Sequence, residues 1–176
     1  MIFTQTRLKG VYIIEMELRE DERGFFARSW CESEFRAHQL NPSVAQCNVS
    51  FNGKKGTLRG MHYAAPPFEE AKLVRCTAGS LYDVVIDLRP DSPTYKQHLG
   101  EVLSASNHKM LYVPEGFAHG FQTLQDNTEV FYQMSRPYEP GYARGVRYDD
   151  PAFGIEWKMA EPVMLERDRN YPDFAG

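Results

Sequence analysis

Residues 44–63 read VAQCNVSFNGKKGTLRGMHY, two strand-like runs divided by the turn-forming NGKKG. Strand side chains alternate, so Gln46, Asn48 and Ser50 share one face of the first run while Cys47, Val49 and Phe51 share the other. One polar and one apolar face fit two settings equally well. The polar side is either a solvated outer wall or the lining of a ligand space inside a barrel. The same rhythm extends in both directions. Upstream lie GVYIIEMEL (10–18), the turn DERG (21–24) and FFARSW (25–30). Downstream come AKLVRCT (71–77), LYDVVIDL (81–88), HLGEVLS (98–104), MLYVPE (110–115), GFAHGFQTL (116–124) and TEVFYQMS (128–135). Short strands recurring about every 8–12 residues indicate an all-β sandwich or barrel rather than alternating β-α units. CESEFRAHQL (31–40) is the best helix candidate, stopped by Asn41-Pro42. The last forty or so residues, rich in Pro, Tyr and Asp, read as irregular structure wrapped on the barrel. The expected organisation is one domain over residues 1–176, with few and short helices.

Composition narrows the function classes. Hydrophobic residues are 42% and charged residues 25%, the balance of a globular protein. A net charge of −4 gives no general attraction to nucleic acid or anionic membrane, so an anion site has to be a local pocket. No run of about 18 apolar residues is present to cross a bilayer, and Arg7 and Lys9 precede any signal-like apolar stretch. Cys31, Cys47 and Cys76 are isolated, which argues against a disulfide framework or zinc knuckle. They are expected to be buried, reduced thiols of a cytoplasmic protein.

Two segments resemble the paired motifs of the cupin barrel superfamily. One runs from Gly56 to His62, with Glu69 and Glu70 downstream; the other is Pro114-Glu115-Gly116-Phe117-Ala118-His119. Metal-binding cupins carry a further histidine two residues after the first, and here that position is Ala64. His62, His119 and a glutamate would still suit a non-haem iron. The preferred reading is a cupin-like jelly-roll barrel of antiparallel strands in which His62 is free for acid-base work, with no metal or cofactor.

A neutral imidazole, with pKa about 6.5, suits proton abstraction near neutral pH. It needs a carboxylate to fix its tautomer, and Asp168 in Arg167-Asp168-Arg169 is the most suggestive distant one. A developing oxyanion needs a cation, and Lys72 lies on a strand near His62 in sequence. Tyr132 shares its strand face with Val130 and Met134, the usual setting of a core tyrosine.

Ordered motifs along nearly the whole chain resemble the dTDP-4-dehydrorhamnose 3,5-epimerase family. They include Asp21-Glu22-Arg23-Gly24-Phe25-Phe26, Leu58-Arg59-Gly60-Met61-His62-Tyr63, Lys72-Leu73-Val74-Arg75, and Gly116-Phe117-Ala118-His119-Gly120-Phe121. The resemblance implies His62 as base, Asp168 as its partner, Tyr132 as acid and Lys72 steadying the enolate. It implies Arg23, Arg59 and Arg167 on the diphosphate. Gln46, Asn48 and His119 would contact nucleotide or sugar, and Tyr138 would stack on the base. It further implies a homodimer, in which the strand carrying Arg23 and Phe26 crosses to a neighbour. Arg59 and His62 differ in strand parity, so both face one ligand only if Gly60 marks a bulge or Arg59 serves a partner's site.

Two departures bear on the nucleotide. Arg28 and Ala143 stand where the family usually has glutamates. A guanidinium donates where a carboxylate accepts, which leads to the expectation that dTDP binds no better than CDP, GDP or UDP. The function classes in play are an epimerase of a nucleotide-linked 4-keto-6-deoxyhexose (inverting C3, C5 or both), a metal-dependent cupin oxygenase or isomerase, and a silent sugar-binding cupin.

Overall fold

The computed structural model describes residues 1–175. Thirteen strands and two short helices follow in chain order. The first strands are β1 (Ile2–Gln5), β2 (Tyr12–Glu15), β3 (Arg19–Asp21) and β4 (Gly24–Phe26), followed by α1 (Glu32–Ala37). The barrel continues with β5 (Gln46–Asn52), β6 (Leu58–Ala64), β7 (Lys72–Ala78), β8 (Ser80–Asp87), β9 (His98–Ser104), β10 (Lys109–Val113), β11 (Phe117–Thr123) and β12 (Thr128–Met134). β13 (Ala143–Gly145) and α2 (Glu166–Arg169) complete the set.

All strand pairs are antiparallel and form two facing sheets, ordered β1-β2-β10-β7-β12-β5 and β13-β6-β11-β8-β9. This is the jelly-roll cupin fold. β3 and β4 make a separate exposed hairpin. Between the sheets, one cluster fills part of the interior: Val74, Leu81, Val85, Leu111, Phe121 and Val130 are all nearly inaccessible. Burial of each such side chain is worth roughly 1.5–3 kcal/mol. Tyr132 packs against this cluster and is only half-buried, so it borders an open space rather than lying within the core.

The helix expected over 31–40 forms at Glu32–Ala37, with Glu32 and Glu34 in its first turn and Phe35 fully buried. Phe35 seals a second cluster with Leu73, Met110 and Tyr112 on the outer face of the six-stranded sheet. A third cluster, Met61, Val84, Ile86 and Phe153, lies beneath the C-terminal segment on the other sheet.

β5 settles the question its two faces posed. Asn48 and Ser50 point inward, while Val49 and Phe51 stand out at 61% and 58% exposure. The cysteine expectation is corrected in part. All three are free thiols, yet Cys47 is exposed on this outward face, Cys31 is half-buried, and only Cys76 is buried. Burial raises the Cys76 thiol to about 11. Among the described residues no helix is long and apolar enough to cross a membrane.

Candidate active site

The site starts from an irregularity in β6. His119 opposes His62 and Phe121 opposes Arg59, so β6 spends three residues where β11 spends two. The extra residue is a β-bulge at Gly60-Met61. It resolves the parity conflict, because Arg59 and His62 now line the same cavity while Met61 turns into the outer cluster. Only glycine allows this. Gly60 has φ +147°, and a Cβ there would lie 2.6 Å from the Cα of Gly120.

The cavity has a volume of about 570 Å³ and lies between the two sheets. Gln46, Asn48, Arg59, His62, Lys72, His119, Tyr132, Tyr138, Arg167 and Asp168 all line it. Arg23 and Phe26 do not. They sit on the β3–β4 hairpin, where Arg23 pairs with Asp21 and Phe26 is 73% exposed. A second cleft of about 410 Å³, bordered by Glu17, Arg19, Phe26, Arg28 and Glu34, holds no His, Lys or Tyr.

His62 Nε2 lies 2.9 Å from Asp168 Oδ1, and that nitrogen is shut off from solvent. The carboxylate thus stands behind the ring, placed to act as counter-charge when the imidazole takes up a proton. It leaves Nδ1 as the nitrogen available to a ligand in the cavity. Burial would raise the Asp168 carboxyl, but His62 and Arg167 beside it outweigh that and hold it below its ordinary value. Arg167 Nε donates to Asp168 Oδ1 at 3.1 Å, and the Gly60 N–H approaches Oδ2 at 3.4 Å. Tyr171 sets its ring edge-on to His62, with centroids 6.3 Å apart. It fits there because it packs over Gly145, the residue opposite His62 on β13; a Cβ at Gly145 would come within 2.2 Å of the Tyr171 ring.

The facing sheet supplies Tyr132 and Lys72. Burial raises the Tyr132 phenol, Arg59 pulls it back, and Glu70 adds to the rise, so it stays protonated at neutral pH. Lys72 Nζ lies 3.1 Å from Glu70 Oε1. Polar side chains brace the remaining wall. Arg59 Nε donates to Asn52 Oδ1 at 2.8 Å, and Gln46 Nε2 donates to Asn48 Oδ1 at 3.0 Å. Gln46 Oε1 accepts from the Tyr138 N–H at 2.9 Å, which fixes Tyr138 at the cavity mouth.

His119 Nε2 lies 2.7 Å from Asp83 Oδ1, both buried. The two histidines are therefore cross-strand neighbours, each turned toward its own carboxylate. Among the described residues no three His, Cys, Asp or Glu side chains are grouped to hold a metal ion. Tyr63, Tyr171 and Asp83 were not among the binding or acid-base candidates from sequence, and Glu70 stood there only as a possible metal ligand. Tyr171 lies in a segment without periodicity, and Asp83 reads as one more residue of a buried strand.

Comparison with known proteins finds relatives over nearly the whole chain. The family model for dTDP-4-dehydrorhamnose 3,5-epimerase matches residues 5–176. The chain belongs to the dTDP-4-dehydrorhamnose 3,5-epimerase family. Within that family it is similar to the Sinorhizobium fredii epimerase, 40% identical over 175 residues, covering 99% of this chain and 90% of that relative. The Bacillus anthracis epimerase structure, with TDP and PPi bound, superposes with a TM-score of 0.95 at 38% identity, covering 98% of this chain and 99% of that one. The Legionella pneumophila epimerase structure, in complex with dTDP-4-keto-L-rhamnose, gives 0.89 at 34% identity over 95% of this chain and 89% of that one.

Proposed function

We propose that this isomerase inverts C3 and C5 of a dTDP-linked 4-keto-6-deoxyhexose, the reaction named for its family. The observation that carries the reading is His62, backed by Asp168, on one sheet of a cavity whose other sheet presents protonated Tyr132. The 4-keto group acidifies the protons at C3 and C5. His62 takes one, the C–H electron pair moves into the ring as an enolate, and Tyr132 returns a proton to the opposite face. The imidazolium and phenolate then exchange with water to reset both groups. Asp168 stabilises the imidazolium, and Lys72 offers an ammonium to the enolate oxygen. Arg59 and Arg167 hold the diphosphate by charge-assisted hydrogen bonds, Gln46, Asn48 and His119 contact the sugar or nucleotide, and Tyr138 stacks on the base.

The chemistry runs without metal or redox cofactor, so full activity is expected after exhaustive EDTA treatment. The enzyme works in the cytoplasm as one domain per chain. Two chains pair: Arg23 and Phe26, outside their own chain's cavity, reach the neighbour's, and the pairing covers Val49 and Phe51. Light scattering should give about twice the 20.3 kDa chain mass. Family membership favours dTDP over the nucleotides expected from the two departures. Arg28 lies outside this chain's cavity, with its guanidinium 2.8 Å from Glu34, whereas Ala143 lines it. The deciding experiment is incubation with dTDP-4-keto-6-deoxyglucose in D₂O. Deuterium at both C3 and C5 is expected, and its absence from both would refute the function.

A further inference from the structure

Lys72 occupies an exacting place on the cavity wall, and its own side chain does not explain how it stays there. Four rotatable bonds give a lysine many positions, and a lysine whose side chain is only 11% exposed needs a counter-charge. The register supplies one. Lys72 is opposite Met134 and Val74 opposite Tyr132, so Lys72 sits one alternation along the same face from the residue facing Tyr132. Glu70 lies two residues before Lys72, and its carboxylate, 10% exposed, meets Nζ at 3.1 Å.

The intervening residue is pinned. The Ala71 N–H donates to Ser135 Oγ at 2.8 Å, and the Ser135 N–H donates to the Ala71 carbonyl at 2.9 Å. Ser135 directly follows β12, the strand that carries Tyr132. Glu70, Lys72 and Tyr132 are thus held by one cross-strand lock. The Glu70–Lys72 contact is an ion pair rather than an aligned hydrogen bond, so the carboxylate holds the ammonium by charge and leaves its N–H donors to the cavity.

We propose that Glu70 is a positioning residue for the epimerisation, clamping Lys72 so that its ammonium is already aimed where the enolate oxygen develops. This rests on the function proposed above. A donor fixed in advance contributes more to the transition state than one that must first reorganise.

Two variants and two readouts test it. Glu70→Ala should lower kcat about tenfold or more with KM within threefold, and Glu70→Asp, which keeps the counter-charge, should recover part of the loss. Independently of turnover, acetylation of Lys72 by dilute acetic anhydride, mapped by mass spectrometry, should be several-fold faster in Glu70→Ala than in the wild type. Unchanged kcat in Glu70→Ala, an Asp variant as impaired as the Ala variant, or equal Lys72 acetylation would overturn the clamp. If the wild type turns over no 4-keto sugar while Lys72 acetylation still rises in Glu70→Ala, the clamp stands and the epimerase reading fails.

Discussion

Replacing Gly60 with Ala tests whether the bulge in β6 builds the site. The added Cβ would sit 2.6 Å from Gly120 Cα and 3.3 Å from the His119 carbonyl oxygen, both backbone atoms that no rotamer change can move aside. The backbone itself is at φ +147°, which costs a non-glycine residue about 1–3 kcal/mol. Overpacking against a fixed strand adds about 1–3 kcal/mol. The sum, roughly 2–6 kcal/mol, is a large part of the 5–15 kcal/mol typical of a domain. Relief requires β6 to move off β11, which shifts Arg59 and His62, both carried by β6, relative to the cavity. Urea unfolding followed by tryptophan fluorescence, with kcat measured on the folded fraction, reads both effects. Gly154→Ala is the control. Gly154 also has positive φ, +60°, but nothing lies within 4 Å of its would-be Cβ, so only about 1 kcal/mol of backbone strain is expected. A Gly60→Ala protein that loses under about 1 kcal/mol and keeps kcat within twofold would refute the reasoning.

Other substitutions probe the remaining links. His62→Asn should cut turnover by at least about 10²-fold with little change in KM, measured by single-turnover kinetics. Asp168→Asn should cost a similar factor, because the imidazolium loses its buried counter-charge; since Asp168 is held below its ordinary value, the wild type should show no acid limb from it above pH about 4. Asp87 is lowered to about 2: burial pushes it up, but Arg89, Ser92 and Thr94 bind its charged form and win. A depressed carboxylate stabilises the fold above its unfolded value of 3.8 and loses that contribution as pH falls toward 2. Asp87→Asn should therefore cost about 2 kcal/mol at pH 7 by urea denaturation, and the gap should narrow below pH about 4. Calorimetry with free diphosphates should find dTDP at least tenfold tighter than CDP, GDP or UDP; equal affinities would mean that Ala143 has relaxed the base site.

The succession of barrel strands along the chain was readable because the runs from 44 to 135 are short, strand-like and separated by turn formers, whereas their order within the two sheets was not. β1 and β13 were not, since four and three residues hold too little pattern to separate strand from loop. The two faces of β5 could not be assigned from residues alone. Alternation shows that faces differ but not which one water covers, and here the apolar side is the outer one. Gly60 did announce its bulge, through the parity conflict between Arg59 and His62. The pairing of His62 with Asp168 spans more than a hundred residues; the residues alone offered Asp168 as the most suggestive distant carboxylate, and the family resemblance made it the partner. Glu70 was visible as a residue but not as a partner of Lys72, because its placement depends on the Ser135 lock.

The carboxylate behind His62 belongs to α2, which follows every barrel strand in the chain. A ribosome therefore releases all the sheet-forming residues before it releases Asp168 and Tyr171. The nascent barrel holds Lys72, Tyr132 and His62 while the imidazole has no buried counter-charge. On the proposed mechanism, the group that steadies the protonated base is the last part of the site to be synthesised. A truncation between β13 and Leu165 would remove Asp168 and Tyr171 together while leaving Lys72, Tyr132 and His62 in the chain, and on the proposed mechanism it is expected to abolish turnover.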